Sequence, residues 1–115
     1  SFLVITLVLL GTSIYAGGDE EDQLLNTNSC VNCDLSNAWL EEADLRKADF
    51  SGAKFNCVDL SNVRLRGANL TKAILDNAIL RYTNLGDANL SGAGLKGAKL
   101  RDTRSSNTKT DGFRF

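Results

Sequence analysis

Two cysteines separated by two residues, Cys30 and Cys33, form the motif of this chain with reactive potential. A CxxC pair can act as a redox couple, as half of a metal site or as a structural disulfide. The chain has no histidine and no methionine, so the commonest general base and imidazole metal ligands are missing. Because Cys57 is the only other cysteine, a metal site lacks ligands. We expect no catalytic residues, no metal and no cofactor.

The middle of the chain repeats every five residues, and this period decides where the cysteines point. Each repeat has a large centre residue, Leu or Phe, and a small residue two positions before it. The centre residues are Leu35, Leu40, Leu45, Phe50, Phe55, Leu60, Leu65, Leu70, Leu75, Leu80, Leu85, Leu90, Leu95 and Leu100. An α-helix would scatter them around its axis, and a straight strand would alternate them between its faces. The chain must therefore turn once per repeat, and four right-angled corners close a coil of twenty residues.

Each position within the repeat has an expected orientation. If the three residues that end at a centre are extended, the small and centre residues point inward and the one between them points outward. The two corner residues that follow are rich in turn formers, as in Ser51-Gly52. Cys30 falls at a centre position and Cys33 at a small position, which predicts core packing or a disulfide. Cys57 falls at a corner, which predicts an exposed free thiol or a bond between chains.

The segments ADLRKADFSGAKF, RGANLTKAIL and GDANLSGAGLKGAKL resemble the pentapeptide-repeat family, whose pattern is A(D/N)Lxx. The resemblance covers residues 30 to about 103, and the β-helix that it implies is expected over residues 30–104. The resemblance implies an all-β fold, a right-handed quadrilateral β-helix with four pentapeptides per coil and about 3.5 to 4 coils, stacked about 4.8 Å apart. Leu40, Leu60, Leu80 and Leu100 would then form one internal column.

The segments outside the repeat predict export and two caps. Residues 1–16 are apolar from Phe2 onward, which is typical of a signal peptide cleaved after Ala16, or of a retained anchor. Residues 17–29 form an acidic linker, in which Asp19 could cap a short helix reaching about Asn26. Residues 105–115 form a polar cap or tail, in which Phe113 or Phe115 could plug the end of the coil.

The outer surface offers charge and a few apolar side chains. Residues 19–59 carry ten acids and three bases, whereas residues 60–115 carry four acids and ten bases. This difference, −7 against +6, predicts a charge dipole along the rod and end-to-end self-association. Trp39, Ile79 and Tyr82 form a candidate docking patch. The outward carboxylates, which include Asp34 and Asp44, are interpreted as solvated side chains of the repeat.

These features favour a non-enzymatic scaffold or protein-interaction module of the cell envelope, with an unidentified protein partner. We expect export to the periplasm, with the thylakoid lumen, the cell exterior or membrane anchoring by residues 2–16 as alternatives. A net charge of −1 gives no reason to expect nucleic acid. The resemblance adds an alternative function, because some members of the family bind DNA gyrase by mimicking duplex DNA. This chain departs from those members because it is short, nearly neutral and expected to be exported. The CxxC motif suggests a second alternative, a thiol-redox protein. The predicted inward orientation of Cys30 and Cys33 disfavours it, because a redox pair needs an exposed thiol.

Overall fold

The computed structural model describes residues 7–9, 12–14, 29–36, 38 and 40–112. From Ser29 onward, each repeat turns at its two corner residues. The N–H of Ala73, for example, donates to the carbonyl of Leu70 at 3.0 Å. The second corner residue has a positive φ in every described repeat, between 56° and 73°. Because the first corner residue has no positive φ, these corners are type II turns.

The left-handed corners tolerate side chains, but not all equally. Gly67 has a φ of 73°, and Lys47, directly below it in the preceding coil, has a φ of 64°. A left-handed residue other than glycine costs roughly 1 to 2 kcal/mol, and a β-branched one more. We therefore expect Gly67→Lys to lower the free energy of unfolding by about 1 kcal/mol and Gly67→Val by about 2 kcal/mol. Thermal unfolding followed by circular dichroism ranks the three proteins, and equal melting of the Gly and Val forms would contradict this account.

Residues twenty positions apart pair in parallel, so that successive coils lie on top of one another. The bridges form four columns: Ser29–Asp49–Asn69–Asn89–Lys109, Asp34–Lys54–Ile74–Gly94, Asp44–Arg64–Asn84–Arg104 and Asp59–Ile79–Lys99. The centre residues from Leu45 to Leu90 donate their N–H groups to the next coil, and the outward residues from Arg64 to Lys109 donate theirs to the previous one. The N–H of Leu70 reaches the carbonyl of Asn89 at 2.7 Å, and that of Asn69 reaches Ala48 at 2.9 Å. Four columns per twenty residues confirm the four-sided coil.

The inward register is confirmed by the burial of the centre and small residues. Every centre residue from Leu35 to Leu95 is at most 3% exposed, and the small residues from Cys33 to Ala93 are also buried. Phe50 and Phe55 meet edge to face, with ring centroids 5.2 Å apart. Each buried Leu contributes roughly 1.5 to 3 kcal/mol relative to an exposed one. The core is thus a narrow column of side chains that fills the coil.

At small positions of the repeat, threonine hydroxyl groups donate hydrogen bonds to backbone carbonyls. Thr83 is buried, and its hydroxyl donates to the carbonyl of Leu60 at 2.8 Å. The hydroxyls of Thr103 and Thr108 donate in the same way to Leu80 and Leu85. A buried hydroxyl without a partner would destabilise the coil, so this bond explains how a polar residue replaces alanine here.

The C-terminal end of the coil departs from the expected column. Leu100 is 37% exposed, although Leu40, Leu60 and Leu80 below it are buried. Leu100 still lines the open end of the core together with Leu90 and Leu95, as the column predicts, but its burial is incomplete because no described residue lies over it. Coil geometry nevertheless continues into the predicted polar cap, residues 105–115, with a bridge to Lys109 and a positive φ at Gly112. Phe113 and Phe115 lie outside the described residues.

Two short strands precede the coil. Strand β1, Leu7–Leu9, pairs antiparallel with strand β2, Thr12–Ile14, with Val8 opposite Ser13. Both lie in the segment predicted as a signal peptide or anchor, and that prediction stays untested. No helix in the described part of the chain is long and apolar enough to cross a membrane. The capping helix from Asp19 to Asn26 lies outside the described residues, and it and the coil count stay predictions.

Candidate interaction surface

The CxxC motif is closed and buried. Cys30 and Cys33 are joined by a disulfide, with their Cα atoms 5.3 Å apart, and are 0% and 4% exposed. The N–H of Cys30 donates to the carbonyl of Asp49, which ties this segment to the next coil. A redox couple needs an accessible thiol of low pKa. The burial of both sulfurs gives this pair the geometry of a structural bridge.

Cys57 occupies a different environment at an outer corner. It is exposed, belongs to no disulfide and has a φ of 61°. Twenty residues further on, Asn77 occupies the same corner of the next coil and also has a positive φ, of 59°. Of the residues described, no group of three or more acidic, Cys or His side chains could hold a metal ion. Cys57 therefore offers a thiol for attachment rather than a ligand set.

The outward Asp and Asn residues do more than face solvent. In seven repeats the side-chain oxygen of this residue accepts the N–H of the first corner residue. The pairs are Asp34–Ser36, Asp44–Arg46, Asp49–Ser51, Asp59–Ser61, Asn69–Thr71, Asn84–Gly86 and Asn89–Ser91. The interpretation of the carboxylates as merely solvated was wrong. An oxygen two residues before the turn satisfies a corner N–H that no backbone carbonyl reaches, as in an Asx turn.

Asp44 also binds the side chain of the corner residue Arg46. It is 1% exposed, and its two carboxylate oxygens accept Nε and Nη2 of Arg46 at 2.8 and 2.6 Å. Arg64 from the next coil approaches one of the same oxygens with Nη1 at 3.9 Å. The hydrogen bond from the Arg46 side chain lowers the pKa of Asp44 below its usual value, against the opposing effect of burial. The guanidinium of Arg46 thus binds both oxygens of the Asp44 carboxylate, an arrangement that we call the Asp44 clamp.

The Asp44 clamp predicts a stability difference that depends on pH. Because the pKa of Asp44 is lowered in the folded state, its contribution is present above the unfolded value of about 4 and is lost as the pH falls through the folded value. We expect Asp44→Asn to lower the free energy of unfolding by about 1 kcal/mol at pH 7, since Arg46 is half exposed. Urea unfolding from pH 7 to pH 2.5 should show this deficit shrinking below pH 4. Arg46→Gln should behave alike, and a deficit that persists in acid would contradict the clamp.

The candidate docking patch is only partly described. Tyr82 is 58% exposed at a corner, and Ile79 is half buried on the neighbouring side, paired with Asp59 and Lys99. Trp39 lies outside the described residues. At the acidic end, the charge of Asp59 raises the pKa of Glu41, with desolvation and Glu42 adding to the effect. The patch stays a prediction.

Comparison with known proteins decides the family. A model described as Pentapeptide repeats matches residues 29–67 and 68–104, with eight copies of the repeat. The chain belongs to the pentapeptide repeat family. The family fold is a right-handed quadrilateral β-helix, in agreement with the four columns of bridges. A search of curated proteins found no significant match.

Several solved pentapeptide repeat proteins are similar to the chain. Rfr23 from the cyanobacterium Cyanothece 51142 is 23% identical, with a TM-score of 0.44, covering 84% of this chain and 97% of that one. A pentapeptide repeat protein from the Arabidopsis thaliana thylakoid lumen is 30% identical, with a TM-score of 0.47 and coverage of 79% and 64%. QnrB1, a plasmid-mediated fluoroquinolone resistance protein, is 22% identical, with a TM-score of 0.45 and coverage of 76% and 40%. The chain spans less than two thirds of the last two proteins.

The pentapeptide repeat pattern accounts for one feature that sequence reasoning missed. The D/N position of the family pattern is the position whose side-chain oxygen binds the corner N–H, as Asn89 binds Ser91 at 3.0 Å. A signal for it was visible, because Ser, Thr or Gly often stands two residues after this Asp or Asn. Pentapeptide repeat proteins are generally structural or interaction modules without catalysis. The repeat therefore uses these polar side chains to hold the turns of the coil.

Proposed function

We propose that the chain is a rigid, non-enzymatic scaffold or protein-interaction module of the cell envelope. The observation that carries this proposal is the hydrogen-bonded stack of four-sided coils around a core filled by its own side chains. Such a coil holds its outward residues at fixed spacings, which lowers the entropy lost when a partner binds. Binding capacity then resides on the faces and corners, and an unidentified protein is the partner.

Export is the second part of the proposal. The apolar residues 2–16 suit a signal peptide, and a buried disulfide such as Cys30–Cys33 suits an oxidising compartment. We propose the periplasm, with the thylakoid lumen, the exterior or a retained anchor as alternatives. Intact mass of the native protein from soluble and membrane fractions, after alkylation in denaturant, tests this. A soluble species that begins at Gly17 with only Cys57 alkylated supports export, and an uncleaved species with three free thiols contradicts it.

Charge and exposed apolar side chains supply the proposed modes of contact. The excess of acids before residue 60 and of bases after it favours end-to-end association of two copies. Tyr82, with Ile79 and Trp39, is the proposed docking patch, and Phe115 would take the centre position above Leu95 if the frame continues. Sedimentation at low and high salt distinguishes association from a monomer. A monomer independent of salt would exclude charge-steered stacking.

No observation favours the two alternative functions. The described residues from 60 to 112 contain nine bases and four acids, whereas a DNA mimic for gyrase requires an acidic surface. The thiol-redox function requires an accessible cysteine pair, whereas Cys30 and Cys33 are buried in a disulfide. The interaction module is therefore the function that the geometry supports best.

The free thiol of Cys57 allows a direct test of the interaction module. A cleavable photo-cross-linker attached to Cys57 samples one corner of the coil. In a Cys57→Ser background, Lys47→Cys, Lys72→Cys and Asp102→Cys sample the other three corners at exposed positions. We expect one protein to be cross-linked in cells from a subset of corners, and to bind the purified chain. Equal, unspecific labelling from all four corners, or none from any, would contradict the proposal.

A further inference from the structure

The arginines of the coil are sorted onto one side. All six arginines of the described coils lie on the side that carries the Asp44–Arg64–Asn84–Arg104 column or at its two flanking corners. We name this surface the arginine face: Arg46, Arg64, Arg66, Arg81, Arg101 and Arg104. Of the six lysines in the same coils, only Lys47 lies there. Arginine differs from lysine by a planar fork that binds both oxygens of a carboxylate, so this sorting indicates recognition rather than bulk charge.

The lower part of the arginine face already binds carboxylates supplied by the coil itself. Asp44 is held by Arg46 through both oxygens, with Arg64 above at 3.9 Å. Arg66 likewise donates from Nε to Asp87 at 3.0 Å. These contacts show that guanidinium groups at this spacing reach a carboxylate lying against the coil.

In the upper part of the arginine face, Oδ2 of Asp102 lies 3.6 Å from Nε of Arg101, but no carboxylate stands in the central column itself. The position of Asp44 is occupied in the next three coils by Arg64, Asn84 and Arg104. Arg64 has only its distant contact with Asp44, which Arg46 already occupies. Within the described coils, no ion pair or side-chain hydrogen bond involves Arg104. Two guanidinium groups, two coils or about 10 Å apart, are thus available to a ligand.

Two shallow depressions flank the upper column and share Asn84 and Arg104. One, of about 640 Å³, also contains Arg64 and Tyr82, and the other, of about 290 Å³, contains Arg66 and Gly86. Gly86 is buried, and its φ is not positive, so the backbone does not require glycine there. A Cβ at this position would lie 3.1 Å from Oδ1 of Asn84. The side chain of Asn84 therefore takes the space over Gly86, and its Oδ1 accepts the N–H of Gly86 at 3.0 Å.

We propose that the arginine face binds an acidic peptide segment of a partner protein, with one carboxylate on Arg64 and another on Arg104. This inference rests on the proposed function as an interaction module. Alternate residues of an extended peptide project to the same side about 7 Å apart, a separation that flexible arginines 10 Å apart can bridge. Asn84 between them can donate to the peptide backbone, and Tyr82 can cover an apolar side chain.

The same face is poorly suited to a nucleic acid. Asp87 and Asp102 line the two depressions and would repel a continuous chain of phosphates. Nucleic-acid affinity depends on many cations that each neutralise one phosphate. A short peptide can instead place its few carboxylates on Arg64 and Arg104 and avoid these aspartates. The mixed charge therefore favours discrete carboxylates over a polyanion.

Peptide binding to matched variants tests the inference. The probe is a fluorescent peptide in which four glutamates alternate with serines, and its glutamine analogue is the control. Fluorescence anisotropy compares the wild-type protein with two double variants, Arg64→Gln/Arg104→Gln and Lys54→Gln/Lys96→Gln. The second variant is the control, because Lys54 lies on the opposite side of the coil and Lys96 at the corner that follows that side. Both double variants lose two positive charges at exposed positions. We expect the arginine variant to raise the Kd at least tenfold and the lysine variant less than twofold.

Three results would overturn the inference. They are equal weakening in both variants, no binding of the glutamate peptide to wild type, and tighter binding of a single-stranded oligonucleotide than of the peptide. Circular dichroism of both variants checks that folding is unchanged, as expected at exposed side chains. If a protein partner were cross-linked at Cys57 or at another corner but the glutamate peptide did not bind, the acidic-peptide inference would be wrong. The proposed function as an interaction module would still stand.

Discussion

Leu70→Asp is expected to unfold the coil. Leu70 is 0% exposed and lies between Phe50 and Leu90, which are also buried. The substitution removes a packed side chain, which costs roughly 2 to 5 kcal/mol, and adds a carboxylate without a cationic partner in the core. Because domains of this size are stable by roughly 5 to 15 kcal/mol, a loss above about 5 kcal/mol removes most of the folded population. Circular dichroism and resistance to proteolysis measure the effect.

A matched control separates burial from charge. Asn89→Asp adds the same negative charge at an outward position, where the new carboxylate can still accept the N–H of Ser91 and pairs in the column with Lys109. We expect its free energy of unfolding to stay within about 0.5 kcal/mol of wild type. If Leu70→Asp melted like this control, the inward register would have to be abandoned.

Ala73→Phe is expected to be the second most destabilising change. Ala73 is 0% exposed, and alanines 53 and 93 lie directly below and above it. Its N–H donates to Leu70 and its carbonyl accepts from Gly94, so the backbone cannot move outward without losing ladder bonds. Overpacking usually costs 1 to 3 kcal/mol, and a phenyl ring at a site that holds a methyl group should cost about 3 kcal/mol or more.

The neighbouring outward position provides the control for Ala73→Phe. Ile74→Phe also enlarges the side chain, but at a half-exposed position that faces away from the core. We expect a change below about 1 kcal/mol. Urea unfolding of both variants measures the difference, and an equally stable Ala73→Phe would show that the small positions are not constrained by packing.

The period of five predicted most of the fold but little of the surface chemistry. It placed the centre residues inside, and with them Cys30 and Cys33, because inward direction follows from spacing alone. The left-handed corners were missed, since Glu42 and Tyr82 are residues that local preference would not place at a positive φ. These positive φ values persist because hydrogen bonds to the neighbouring coils hold the corners in place. The N–H of Tyr82, for example, donates to the carbonyl of Arg101.

At the C-terminal end of the coil, the five-residue pattern predicts the direction of a side chain but not its burial. Leu100 continues the sequence pattern without fault, yet burial requires a further coil over it, and no described residue provides one. Thr103 and Thr108 look polar in the sequence, yet each hydroxyl binds a carbonyl and serves in place of alanine. A side chain's pattern position predicts its direction, whereas its burial depends on what lies above it.

By itself, the sequence determined the five-residue unit, the inward and outward positions and the corners, because these follow from side-chain size and local turn chemistry. Only the tertiary structure decided which residues meet across coils. Arg64 lies twenty residues after Asp44 and Arg104 forty residues after Arg64, and they share a face because the chain returns to the same side after every four corners. That closure is a property of the whole coil, and so the clamp on Asp44 and the arginine face emerge only when the coils are stacked.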